Sequence, residues 1–431
     1  MNTTMKRLTI LLFVLAVPVA LSAFSFGADN HQFNPAFLGS STRTWETGVS
    51  GNLNVYNSYF AITDFLSEEE DAALVIDLGD LAEAMAGGKM ETSLGTSLEV
   101  HAMAQLFGIG VGGYAAADLY GGFSIPESFF TFLAEGNTIG DEITGEGELN
   151  LKGFAEVGVY AGYRYGNYQI GLKFGQYVPL IYSEGTGYSY SLLAKEADED
   201  GIIFEAEAEA FGTVYSAFDL DDPGNFDSPM DILTGAGTKL DIGFVHVKQQ
   251  GRPLWGASAS IPLLPAKPAY AFELTGGLEA TITDPLGSIS FGDENGNGDD
   301  NDNGFAETEN TFELSKIEGE IDKEIMAPYK LGGFYRFTLI PVIDLIPHVE
   351  MVFEDPMLVN YGLTLTGSFA PLSWVSLGMG QVNNLWVARA GLDVDLRLLE
   401  VGVRVSSSSE SLETLASFQR PDVSFQVALG L

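Results

Sequence analysis

Most of the side chains in this chain that could do chemistry are carboxylates, and two arrangements of them are suited to cations. In the first, Glu205, Glu207 and Glu209 alternate with Ala206, Ala208 and Ala210. A β-strand shows its faces with period two, so a strand here carries a file of carboxylates on one face and draws cations along it. Ala and Glu also favour helix, which would make the segment an exposed arm instead. In the second, Asp293, Asn295, Asn297 and Gly298 match the first, third, fifth and sixth positions of an EF-hand loop, where alternate oxygens converge on a hard cation and Gly makes the sharp turn. The twelfth position, Gly304, lacks the bidentate carboxylate; a register starting at Asp299 places Asn310 there, with Glu309 one residue short. The expectation is either Ca²⁺ on Asp293, Asn295, Asn297 and Asp299 in loop 293–304, or a solvated loop and no cofactor.

Catalysis has little support. His31, His101, His246 and His348 are scattered, and there is no HExxH, GxSxG or P-loop. His101 beside Glu99 is the one candidate pair, and it reads more simply as a polar residue facing an interior. With no cysteine there is no disulfide framework and no thiolate metal site. A formal net charge of -39, from 59 acids against 20 bases, excludes the clustered Lys and Arg that nucleic-acid phosphates require. The expected class is not an enzyme.

The elements that carry these residues alternate in strand after strand. Ala390, Leu392, Val394 and Leu396 stand against Arg389, Gly391, Asp393, Asp395 and Arg397; Val423, Phe425, Val427 and Leu429 stand against Ser424, Gln426 and Ala428. Phe154 to Tyr165 and Tyr168 to Tyr182 form a hairpin around Gly166-Asn167, with Val157 and Val159 on one face and Glu156 and Arg164 on the other. Ahead of the strands, Lys6 and Arg7 followed by apolar Leu8 to Leu21 read as a cleaved secretory signal, residues 1–22, with cleavage as late as 27. No later apolar run approaches the ~20 residues of a membrane helix.

An exported chain with these strands and no linker is read as one closed sheet over 46–431: an all-β, transmembrane, antiparallel up-and-down barrel of roughly 14 to 18 strands in outer-membrane lipid. The greasy face, with Val157, Val159, Leu392 and Val394, then meets lipid. Glu156, Arg164, Glu205, Glu207, Glu209, Arg389, Asp393, Asp395 and Arg397 line the lumen. Tyr160, Tyr163, Tyr165, Tyr168 and Tyr177 read as one arc of an aromatic girdle. Counting strands from the two ends disagrees by one between Leu254 and Tyr329, where Pro262, Pro265, Pro268, Pro285 and Pro328 interrupt the pattern.

One early segment, Asp29 to Gly39, contains Asn34-Pro35-Ala36 just after the signal and just before the first strand. By itself this is turn punctuation. In that position it resembles the N-terminal box of the long-chain fatty-acid transporter superfamily, which includes conjugal-transfer TraF-like and type IX secretion PorV-like barrels. A helix-prone insertion at 63–90, and a helix opening at Ile125-Pro126 and closing at Glu135-Gly136-Asn137, resemble that branch as well. The resemblance implies that residues 29–45 fold into the barrel as a plug, with Asn34, Pro35 and Ala36 in the lumen. It also implies a channel or transporter for small or hydrophobic molecules, and the sequence names no substrate. Two other readings stand beside it: a structural or adhesive envelope barrel whose acidic loops are bridged by cations, and a soluble exported β-sandwich that binds a ligand.

Overall fold

The computed structural model describes residues 34–40, 43–58, 88–135, 139–196, 202–221, 233–248, 253–283, 307–311, 313–354, 356–370, 373–396, 398–415 and 420–431. Its strands are β1 (Trp45–Asn57), β2 (Lys89–Leu106), β3 (Ile109–Pro126), β4 (Glu142–Tyr165), β5 (Tyr168–Glu196), β6 (Ile202–Ser216), β7 (Gly237–Val247), β8 (Pro253–Leu264), β9 (Tyr270–Thr275) and β10 (Gly277–Thr283). They continue as β11 (Glu307–Asn310), β12 (Glu313–Lys316), β13 (Tyr329–Tyr335), β14 (Phe337–Ile340), β15 (Ile343–Phe353), β16 (Leu358–Ala370), β17 (Ser373–Val382), β18 (Leu385–Asp395), β19 (Leu399–Ser409) and β20 (Arg420–Gly430). One α-helix, α1 (Glu127–Glu135), follows Ile125-Pro126, and a 3₁₀ helix (Pro35–Ser40) precedes β1.

Fourteen of these strands pair antiparallel, each with its neighbour, into a closed ring: β1 to β5, then β7, β8, β13 and β15 to β20, with β20 back on β1. Closure removes the exposed edges that an open sheet would present. Strands β15, β18, β19 and β20 have 11 residues each, and β17 has 10. A tilted strand needs about 9–11 residues to cross a bilayer, so these are membrane-length elements. Tight turns at Phe107-Gly108 and Gly166-Asn167 sit at the same end as Leu431, whose carbonyl accepts from the Thr44 backbone N–H. The ends of β1, β3 and β19 from which the longer connections leave, at Asn57, Pro126 and Ser409, lie at the other end.

The faces sort by period two. Val159 is 61% exposed on the outside of the ring, Leu377 53% and Leu392 49%, whereas the inward side chains of Glu156 and Arg404 are only 15% and 14% exposed. A soluble protein would bury such a continuous apolar surface, so this one faces hydrocarbon. At the tight-turn end the outer surface carries an aromatic arc in which Tyr168 lies 5.7 Å from Phe244, Phe244 5.3 Å from Trp255, and Tyr335 4.5 Å from Phe337. Rings with one polar tip settle at the membrane interface. Tyr163, Tyr165 and Tyr168 join this arc, but Tyr160 and Tyr177 do not: they point inward and are 3% and 5% exposed, because the period-two pattern gives them the opposite face.

The strand count fails between Leu254 and Tyr329 because the chain leaves the ring there. Strand β5 changes partner along its length: Tyr168–Tyr177 pair with β7 in the ring, while Tyr182–Glu196 pair with β6. Strand β6 pairs in turn with β9 and β10, which carry β12 and β11, so these five strands form an extension at the long-connection end. Glu205, Glu207 and Glu209 are therefore on a strand, not a helix, and that strand belongs to the extension and not to the ring wall.

At the branch, the buried Tyr177 hydroxyl lies 3.2 Å from the carbonyls of both Leu264 and Ile325 and accepts from the Ala327 backbone N–H at 2.9 Å. It ties the ring to the returning chain. Tyr177→Phe leaves these groups short of a partner, which costs about 1–3 kcal/mol. The urea midpoint in detergent should fall accordingly; an unchanged midpoint would show that the hydroxyl is not the tie.

Candidate functional site in the barrel lumen

The 3₁₀ helix at Pro35–Ser40 lies inside the ring near the tight-turn end, against β3, β4, β5 and β7. Asn34 starts it. Its side-chain oxygen accepts from the Ala36 backbone N–H at 3.0 Å, closing a local turn, while its amide nitrogen donates to the Phe244 and Ala257 carbonyls at 3.3 and 3.0 Å. Phe37 stacks on Phe334 with ring centroids 5.7 Å apart, in a cluster with Ala36, Val245, Val247 and Ile346. Leu38 packs with Tyr114 and Tyr160.

Two glycines make this seat possible. A Cβ on Gly171 would stand 2.1 Å from the Pro35 carbonyl carbon, and one on Gly243 2.0 Å from Asn34 Oδ1. Both are inward positions where any side chain would meet the segment. Further along, Arg43 reaches the opposite wall, bonding Glu46 and Asp395 at 3.0 Å and Glu400 at 3.3 Å. The N-terminal segment thus has one anchor on β7 and β8 and another on β18 and β19.

Above it, inward charges meet across strands that are not neighbours. Lys239 on β7 pairs with Glu156 on β4 at 2.6 Å, and Lys173 on β5 lies 3.9 Å from Glu99 on β2. Such contacts are possible only through the interior of a curved wall. Glu156 also accepts from the Tyr114 hydroxyl, and Lys173 sits 3.8 Å above the Tyr114 ring. Arg336 lies 3.9 Å from Asp344, and Arg404 bonds Asp393 at 3.2 Å. His101 turns to Glu46 at 3.2 Å rather than to Glu99. Within the ring, then, Glu156, Asp393 and Asp395 are each paired with a cation.

The inward set of the sequence is thus spread over three places. Glu156, Arg389, Asp393 and Asp395 lie on ring strands; Arg164 is exposed at the tight-turn mouth; and Glu205, Glu207 and Glu209 stand on β6, where register places Glu207 opposite Glu279 and Glu279 opposite Glu309. Arg397 and loop 293–304 lie outside the described residues. Gly171, Gly243 and Arg43 are additions that sequence reading passed over.

No family model matches the chain, and no curated protein does. Among solved structures it is similar in extent to several transporters and channels. The toluene transporter TbuX of Ralstonia pickettii is matched at TM-score 0.44 and 10% identity, over 95% of this chain and 94% of that one. The toluene transporter TodX of P. putida is matched at 0.45 and 8%, over 92% of each chain. The monoaromatic hydrocarbon channel CymD is matched at 0.45 and 8%, over 95% and 94%.

Proposed function

We propose that this protein is an outer-membrane channel or transporter for small molecules, with residues 29–45 acting as its plug, as in the long-chain fatty-acid transporter superfamily and its TraF-like and PorV-like branch. The observation that carries this is the kind of attachment Asn34–Leu38 makes. The segment is held in the bore by side-chain hydrogen bonds and glycine clearances, and takes no place among the strand pairings that close the wall. A barrel that served only as an anchor would gain nothing from a charged interior crossed by a separable segment. Hydrophobic cargo is the family's habit; the paired charges of this lumen favour polar cargo.

Reconstituted into liposomes, the full chain should give osmotic swelling with small solutes at rates that fall as solute size rises. Swelling no faster than that of protein-free liposomes would move the assignment to an anchoring or adhesive barrel.

A further inference from the structure

Residues of β17 to β20 and of β1 to β3 line a cavity of about 570 Å³. Three of the chain's nine arginines line it: Arg389, Arg404 and Arg420. They come from three consecutive strands, and the register staggers them. Arg404 stands opposite Ser424, Arg389 is opposite Ser406, and Arg420 is opposite Ser408. Ser406 and Ser408 are two and four residues above Arg404 along β19. At about 3.3 Å per residue, successive guanidiniums rise by roughly 7 Å from mid-bore to the outer mouth.

The lower and upper steps are held in place. Asp393 fixes Arg404 from below at 3.2 Å. Asp422, between the lower and upper steps, is itself held by Asn52 at 3.2 Å and Ser406 at 3.4 Å. Arg420 lies flat over the Tyr56 ring, 3.4 Å from its centroid, with Glu410 at 3.4 Å. Stacking on an aromatic face holds a guanidinium plane while leaving its character as a fork of donors, the geometry that matches a carboxylate. In a chain with nine arginines, three guanidiniums on one cavity are a local concentration of donors, with the carboxylates of Asp422 and Glu91 also in the lining.

We propose that the three arginines form a binding track for small carboxylate solutes, a cargo class that neither the acidic composition nor the hydrocarbon-transporting neighbours would suggest. The inference rests on the channel reading, since a track matters only where solutes pass. Added salt weakens the track by screening.

The test is equilibrium binding to the folded full chain in detergent, which requires no transport. Isothermal calorimetry with succinate should show saturable binding that weakens with added NaCl, and no binding of the uncharged isostere succinamide. Arg389→Gln and Arg404→Gln should each weaken succinate binding about tenfold. Arg420→Gln, nearer the mouth and held by stacking, is the variant least able to disturb the fold, and should weaken it several-fold. Lys316→Gln, on the extension, should leave binding unchanged. Heat-modifiable gel mobility verifies that each variant is folded. Absence of succinate binding, equal binding of succinamide, or indifference to Arg420→Gln in a folded barrel overturns the track. Swelling with neutral solutes would stand in each of those cases, so failure of the track and failure of the channel are separable.

Discussion

Replacing Gly171 with valine is expected to expel Asn34–Leu38 from the bore while leaving the barrel closed. The clash is with main chain: a Cβ at 171 would be 2.1 Å from both the carbon and the oxygen of the Pro35 carbonyl, and a rigid β-branched side chain cannot turn away. The ring is closed by strand pairings in which residues 34–40 take no part, so the wall has no reason to open. Because the chain has no cysteine, a single Leu38→Cys reports the event. Leu38 is 2% exposed in its seat, so maleimide labelling should be slow there and at least about tenfold faster once Gly171→Val is added. Equal rates in the two backgrounds would mean that the glycine does not hold the segment.

The second large effect concerns the outer face. Val159→Arg should cost roughly 2–4 kcal/mol of stability in bilayers, the range for a cation on the lipid face near the midplane. Val159 lies between Gly113 on β3 and Phe174 on β5, well away from either mouth, and is 61% exposed. The control is Glu148→Ala, near the long-connection end of β4, where the pair with Lys89 is solvent-exposed and worth at most about 1 kcal/mol. Urea-dependent folding into phospholipid vesicles measures both. Equal effects would contradict the lipid-facing assignment and revive a soluble sandwich, in which that face is core.

The ring was legible because a membrane barrel writes its two solvents into every strand. Val157 and Val159 against Glu156 declare both faces locally, and Gly166-Asn167 declares the turn, without reference to the rest of the fold. The extension was not legible, since β6 alternates Glu with Ala as a ring strand might; what removes it from the wall is the partner change within β5, a long-range event. The break between β9 and β10 does have a local mark, at Gly276 with φ of 120°. The inward turn of Tyr160 and Tyr177 follows from parity, which the clustering of tyrosines at the hairpin end obscured.

At the site, Asn34-Pro35-Ala36 stood out by position, but its seat did not. Gly171 and Gly243 read as ordinary strand glycines until the segment that fills their missing side chains is placed beside them. The arginine wall is hidden for a different reason. Residues 389, 404 and 420 are far apart in sequence, and only the register of three strands brings them into one ascending row. The acidic composition pointed toward cations, yet in the ring Arg43, Lys173, Lys239, Arg336 and Arg404 already lie within ion-pair distance of carboxylates of the chain.

The bore should conduct, and Asn34–Leu38 should limit it. Single-channel recording in planar bilayers addresses both, with the unmodified chain and Gly171→Val compared under the same KCl solution. Discrete steps are expected from the unmodified chain, and steps several-fold larger from the variant. Silent bilayers from both proteins, each shown to be folded, would contradict it.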